Sequence, residues 1–166
     1  FLGVFLSLAL YVAVPKRNTM TFLDVGQGES SVFVSGSGMV CIFDAGSTSR
    51  DKCGSYNILP YLKYSGISHI DYIILSHSDA DHINGVEEIL EDKAISVDNV
   101  IVSSQDEGFN ELIQKIGEKA DINIIIGVEG SFIEEESARI SFLNPGTASA
   151  DKGALTADIN ERSIVA

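Results

Sequence analysis

The sequence predicts an α/β protein: a layered sheet with helices outside it. Three observations lead there. Short β-branched runs, "IDYIILS", "VDNVIVSS" and "INIIIGVEG", have the length and composition of buried strands. Helical periods stand between them, as in "FNELIQKIGEKA", where Phe109, Leu112, Ile113 and Ile116 share one face. The order is strand-rich, then alternating, then strand-rich again, which suits one sheet covered by helices. With 166 residues, 45% of them hydrophobic, the chain is long and apolar enough for a single core.

Each element has a local reason. "MTFLDVG" reads as a strand stopped by "GQGES". "SSVFVSG" and "MVCIFDAG" flank "SGSG", a hairpin signal. "STSRDKCGSYN" is a polar loop. "ILPYLKYSG" is a helix with Pro60 in its first turn and Gly66 closing it. "DHINGVEEILED" is a short helix with Asp81 or Asn84 as its cap. "SFIEE" and "ARISFLNPG" are further strands, and the tail from Thr147 ends in a strand-like start. No linker divides residues 18–166, which are read as one domain.

Residues 1–17 differ. "FLGVFLSLALYVAV" holds no charge over its fourteen residues and is followed by Pro15, Lys16 and Arg17. A membrane-spanning helix needs about 20 such residues. We read this run as the end of a transmembrane helix with its basic flank. A signal-peptide core or a buried helix are the alternatives, and a signal peptide lacks the basic flank before the run.

Twenty-four acidic residues against 11 basic ones give a net charge of −13. That excess argues against broad binding of a nucleic-acid backbone, which needs basic surface. Bound divalent metals would reverse the sign locally. Two cysteines make no disulfide framework. Cys41 reads as a buried thiol, although a Cys41–Cys53 pair is open, and Cys53 reads as a loop residue.

The chemistry concentrates in "LSHSDADHINGV", Leu75 to Val86. His77, Asp79, Asp81 and His82 fall within six positions, where a strand ends and a helix begins. Ligands gather at that edge in α/β sheets. Imidazole nitrogen and carboxylate oxygen suit zinc, and a carboxylate-rich set also suits manganese or iron. Two such ions sharing a water would lower its pKa and clamp a phosphate or carbonyl oxygen. A capped helix start with solvated histidines is the plainer alternative. Yet all three histidines of the chain lie between positions 69 and 82. His69, outside the motif, reads as a surface or packing residue, and Ser76 and Ser78 as loop filler.

"HSDADH" resembles the H-x-H-x-D-H signature of the metallo-β-lactamase superfamily, with Asp79 where the second His usually stands. Together with "FLDVGQGES" and "CIFDAG", in this order, it resembles the soluble domain of ComEC-type competence proteins, membrane proteins of bacterial DNA uptake. The resemblance implies an αβ/βα sandwich. It implies two divalent ions, zinc or manganese: one at His77 with Asp79, the other at Asp81 and His82. It implies that Asp24 and Asp44 orient ligands from behind, with turn chemistry before Gly26 and Gly46 as the alternative. "NERSIV" would bring Asn160 near the place of a downstream histidine that this chain lacks. The bridging Gly-Asp of the superfamily does not occur before Ala166. The domain is therefore expected to be incomplete at its C-terminus and, alone, to hold metal weakly and to lack activity, with the two ions belonging to the complete domain.

The function implied is a metal-dependent phosphodiesterase or nuclease domain acting on single-stranded DNA, with Asp81 beside the attacking water. It would be joined to the channel part of the same protein in the bacterial inner membrane. A non-catalytic, regulatory domain of that channel is the first alternative. Another hydrolase of the superfamily, acting on β-lactams or thioesters, is the second.

Overall fold

The computed structural model describes residues 17–103, 107–118 and 121–143. The proposed membrane segment and Asn160 lie outside them. Among the described residues, no helix is long and apolar enough to cross a membrane.

Six strands form one mixed sheet in sequence order: β1 (Thr19–Phe22), β2 (Ser30–Val34), β3 (Val40–Ala45), β4 (His69–Ile74), β5 (Ser96–Ser103) and β6 (Asn123–Gly127). The β1–β2 and β2–β3 pairs are antiparallel, and β3 through β6 run parallel. The antiparallel half follows from short connections such as the "SGSG" turn. The parallel half follows from crossovers that carry helices. These are α1 (Leu59–Tyr64), α2 (Ala80–Ile83), α3 (Val86–Glu91) and α4 (Asn110–Gly117). A π-helical turn, Gly54–Ile58, leads into α1, and a 3-10 turn, Glu107–Phe109, leads into α4. A separate hairpin, β7 (Phe132–Glu135) with β8 (Ala138–Ser141), follows.

Strand alternation sorts the core into two layers. Ile42, Ile73 and Val100 point to the helical side and join Leu59, Leu62, Val86, Ile89, Leu112 and Ile116. Their neighbours Cys41, Ile74 and Ile101 point the other way and meet Ile140 and Phe142 beside the β7–β8 hairpin. Because both faces are covered, these strands read as nearly unbroken apolar runs. Ile73 is fully buried in the middle of the sheet. Ile73→Ala should cost about 2–5 kcal/mol, the lost transfer energy plus a cavity, read as a lower denaturation midpoint at an unchanged slope.

Three expectations need correction. The single helix over "DHINGVEEILED" is two, broken at Gly85, whose N–H donates to Ala45 O at 2.8 Å. A Cβ on Gly85 would lie 2.8 Å from both Ala45 O and Cys53 Sγ, so tertiary contact interrupts the local period. Neither Asp81 nor Asn84 is an N-cap: Asp79 stands at the N-cap of α2 and Gly85 at that of α3, while Asn84 is the C-cap of α2. Asn84 instead ties two loops, accepting from Ser47 N–H at 3.0 Å and donating to Ser47 O at 2.6 Å. Cys53 is no loop ornament either. It is buried, with its thiol 3.4 Å from Asn84 Oδ1. Both cysteines are free, and burial pushes the Cys41 thiol up to about 12.

Candidate metal centre

The motif loop leaves the carboxyl end of β4 and lies against the ends of β2 and β3. Its backbone is pinned by Glu29 N–H donating to Asp81 O at 3.0 Å, and Gly46 N–H donates to Glu29 O at 3.1 Å. There is no room between these loops. A Cβ on Gly46 would stand 2.3 Å from both Asp81 C and His82 N, and one on Gly28 2.7 Å from Asp81 O. The glycines of "GQG" and "DAG" thus set how closely the loop can seat.

Asp44, one residue before the end of β3, is the anchor. It is buried and holds φ +54°, a left-handed backbone that Asp tolerates better than most residues. Its Oδ1 accepts from Ser76 N–H at 2.8 Å. Its Oδ2 accepts from Ser76 Oγ at 2.7 Å and lies 2.9 Å from His82 Nδ1. Ser76 Oγ in turn lies 2.9 Å from His77 Nδ1 and 3.4 Å from His82 Nδ1. The two imidazole rings stack obliquely, with centroids 3.9 Å apart. The Asp44 hydrogen bond raises the His82 pKa above its ordinary value of 6.5, and partial burial opposes that rise.

The four motif residues meet as pairs rather than as one tight set. His77 Nε2 is 3.5 Å from Asp79 Oδ2, and His82 Nε2 is 3.8 Å from Asp81 Oδ2. His77 is buried, while Asp79 and Asp81 reach solvent. Asp24 is not brought to this cluster. Its side chain is 83% exposed, pairs with Arg50 at 2.9 Å and accepts from Gly26 N–H at 3.1 Å, the contacts of a turn.

Two residues escaped the sequence reading. Ser76, taken for filler, links Asp44 to both histidines. Glu29 offers a carboxylate oxygen within 4.8 Å of donor atoms of Asp44 and His82. Its signal was available in "GQGES", an acidic side chain directly after a tight glycine turn. Among the described residues, the other group of three donors at that spacing is His69, Asp71 and Asp98. It stands around the amino ends of β4 and β5, with His69 Nε2 3.3 Å from Asp98 Oδ2.

The fold and this cluster define an α/β sandwich with candidate divalent-metal ligands at the carboxyl rim of its parallel strands. The family model of the Metallo-beta-lactamase superfamily matches residues 23–122, and the chain belongs to that superfamily. Its members typically bind divalent metals. Among curated proteins, the chain is 42% identical over 69 residues to Recombination protein 2 of Haemophilus influenzae, covering 41% of this chain and 8% of that protein. It is 35% identical over 78 residues to Competence protein ComA of Neisseria gonorrhoeae, covering 46% and 11%. It is 32% identical over 97 residues to ComE operon protein 3 of Bacillus subtilis, covering 50% and 12%. These three are ComEC-type proteins, and the chain spans only about a tenth of their length. A Cronobacter sakazakii metallo-β-lactamase with a HARLDQ motif superposes with TM-score 0.52 at 15% identity, over 82% of this chain and 53% of that one. A Thermotoga maritima flavo di-iron protein mutant superposes with TM-score 0.51 at 14% identity, over 78% and 28%. These two likenesses concern the fold alone.

Proposed function

We propose that the chain is a metal-dependent phosphodiesterase or nuclease domain of a membrane DNA-uptake protein. The observation that carries the metal part is the orientation of the two histidines. Each ring has its Nδ1 engaged from behind and its Nε2 facing a carboxylate. Three aspartates and Glu29 around two imidazoles make a donor set that wants positive charge. His77 with Asp79 would hold one ion, and His82 with Asp81 a second, zinc or manganese. Ions held there would polarise a phosphodiester and acidify water. Asp44 and Ser76 keep the ligands oriented from the buried side. Asp81, partly open to solvent, stands where it can accept a hydrogen bond from a water and carry off its proton.

The competence and recombination names of the relatives suit a DNA-uptake setting, and within it the proposal takes single-stranded DNA as substrate and a membrane channel as partner. The net charge of −13 leaves little surface to hold a polyanion. The DNA path would therefore belong to the rest of the protein, joined through the apolar run of residues 1–14 to the bacterial inner membrane.

The test uses the full-length protein carrying this domain. With manganese or zinc it should degrade single-stranded DNA, and Asp81→Ala should lower that rate at least about a hundredfold while the protein stays folded. Intact DNA in the presence of folded, metal-loaded protein would reject the nuclease reading.

A further inference from the structure

We propose that Ser76 is a positioning residue that fixes which nitrogen of His77 is left bare. The Asp44 carboxylate can only accept. It receives the Ser76 N–H, the Ser76 hydroxyl and the His82 Nδ1–H. A serine hydroxyl has a single proton, so Ser76 Oγ has none left for His77 Nδ1, 2.9 Å away. That contact is a hydrogen bond only if His77 donates from Nδ1. The chain of donors runs from His77 Nδ1–H to Ser76 O–H to Asp44 Oδ2, which also takes His82 Nδ1–H. Both rings are then Nδ1–H tautomers, and both Nε2 lone pairs face the carboxylates of Asp79 and Asp81.

Direct support from the Asp44 carboxylate reaches His82 alone. His77 reaches Asp44 only through Ser76, so one hydroxyl couples both halves of the cluster to a single buried anion. The tautomer that a histidine adopts is set by the partner of its other nitrogen. Ser76 supplies that partner for His77. The proposal rests on reading these histidines as metal donors, but the tautomers themselves can be read without metal.

The chain has three histidines, so ring nitrogens labelled with 15N give few signals to assign. In metal-free protein, at a pH high enough to leave the rings neutral, His77 and His82 should both carry the proton on Nδ1. Ser76→Ala should release His77 towards the other tautomer and leave His82, still bound to Asp44, as it was. Ser76→Thr, which keeps the hydroxyl, should restore His77. Zinc affinity should fall about 10–100-fold in Ser76→Ala and recover in Ser76→Thr. Protonation of His77 on Nε2 in the unaltered protein overturns the proposal, and so does a His77 tautomer indifferent to Ser76→Ala. Should Ser76→Ala fail to fold, the unaltered protein and Ser76→Thr still decide. Stated tautomers together with zinc that moves no ring signal would uphold the role of Ser76 and defeat the metal reading instead.

Discussion

Gly46→Ala should unfold this domain more readily than any conservative change on its surface, and should disturb the candidate ligands as it does so. The added Cβ would stand 2.3 Å from Asp81 C and from His82 N, and 2.6 Å from Asp81 O. All three are backbone atoms, so no side chain can swing aside. Overpacking of well-packed interiors typically costs about 1–3 kcal/mol, and a backbone clash belongs at or beyond the upper end. Relief requires the Asp81–His82 peptide to move, with the two side chains it carries. We expect a loss of about 3 kcal/mol by denaturant unfolding and weaker binding of added zinc in whatever folded protein remains. Gly117→Ala is the matched comparison. Its Cβ would meet nothing within 4 Å at the end of α4, and the helix should tolerate it or gain slightly. Equal stability of the two variants would refute the steric account of the loop.

The second large effect belongs to Asp44. Asp44→Ala leaves three donors without their acceptor: Ser76 N–H, Ser76 O–H and His82 Nδ1–H. Each of these part-buried donors, once orphaned, costs up to the about 1–3 kcal/mol of a buried one. The backbone adds to this, because alanine is strained at φ +54° where aspartate is tolerated. We expect a total loss of about 3–5 kcal/mol, since the loop relaxes in part and donors find water. Asp44→Asn keeps the shape, the backbone tolerance and one acceptor, and should cost less. Yet it removes the charge that holds His82, so zinc affinity should still fall about tenfold or more. Stability and metal affinity would thus separate in Asp44→Asn and fall together in Asp44→Ala. A fully retained affinity in both would mean that Asp44 supports the fold alone.

What the sequence disclosed follows from how local each signal is. The strands β4, β5 and β6 are short apolar runs between turn residues, so composition alone marks them. His77, Asp79, Asp81 and His82 lie within six positions, and a loop between strand and helix can turn them towards neighbouring points without help from elsewhere. Ser76 offered no such cue. Serine is an ordinary loop residue, and its part arises only when the end of β3 brings Asp44 beneath it. Glu29 reaches His82 across a gap of more than fifty positions, closed by the β2–β3 pairing. Cys53 lies in a Gly/Ser-rich polar stretch of the sequence, which hid its burial against Asn84 and Gly85. The helix break at Gly85 had a local cue in the Asn84–Gly85 pair, but the apolar period runs through it, and only the approach of Ala45 O and Cys53 Sγ shows why no side chain fits there. For Asp24, a family-like stretch suggested a ligand-orienting part with turn chemistry as the alternative, and the turn does use its carboxylate.

The most direct test of the central claim is anomalous diffraction from crystals of the protein soaked in zinc or manganese. The two histidines of the loop and their facing aspartates are predicted to give the strongest peak, touching Nε2 of His77 or His82 and a carboxylate oxygen of Asp79 or Asp81. A peak at His69, Asp71 and Asp98 alone, or none against the loop at saturating metal, would contradict it.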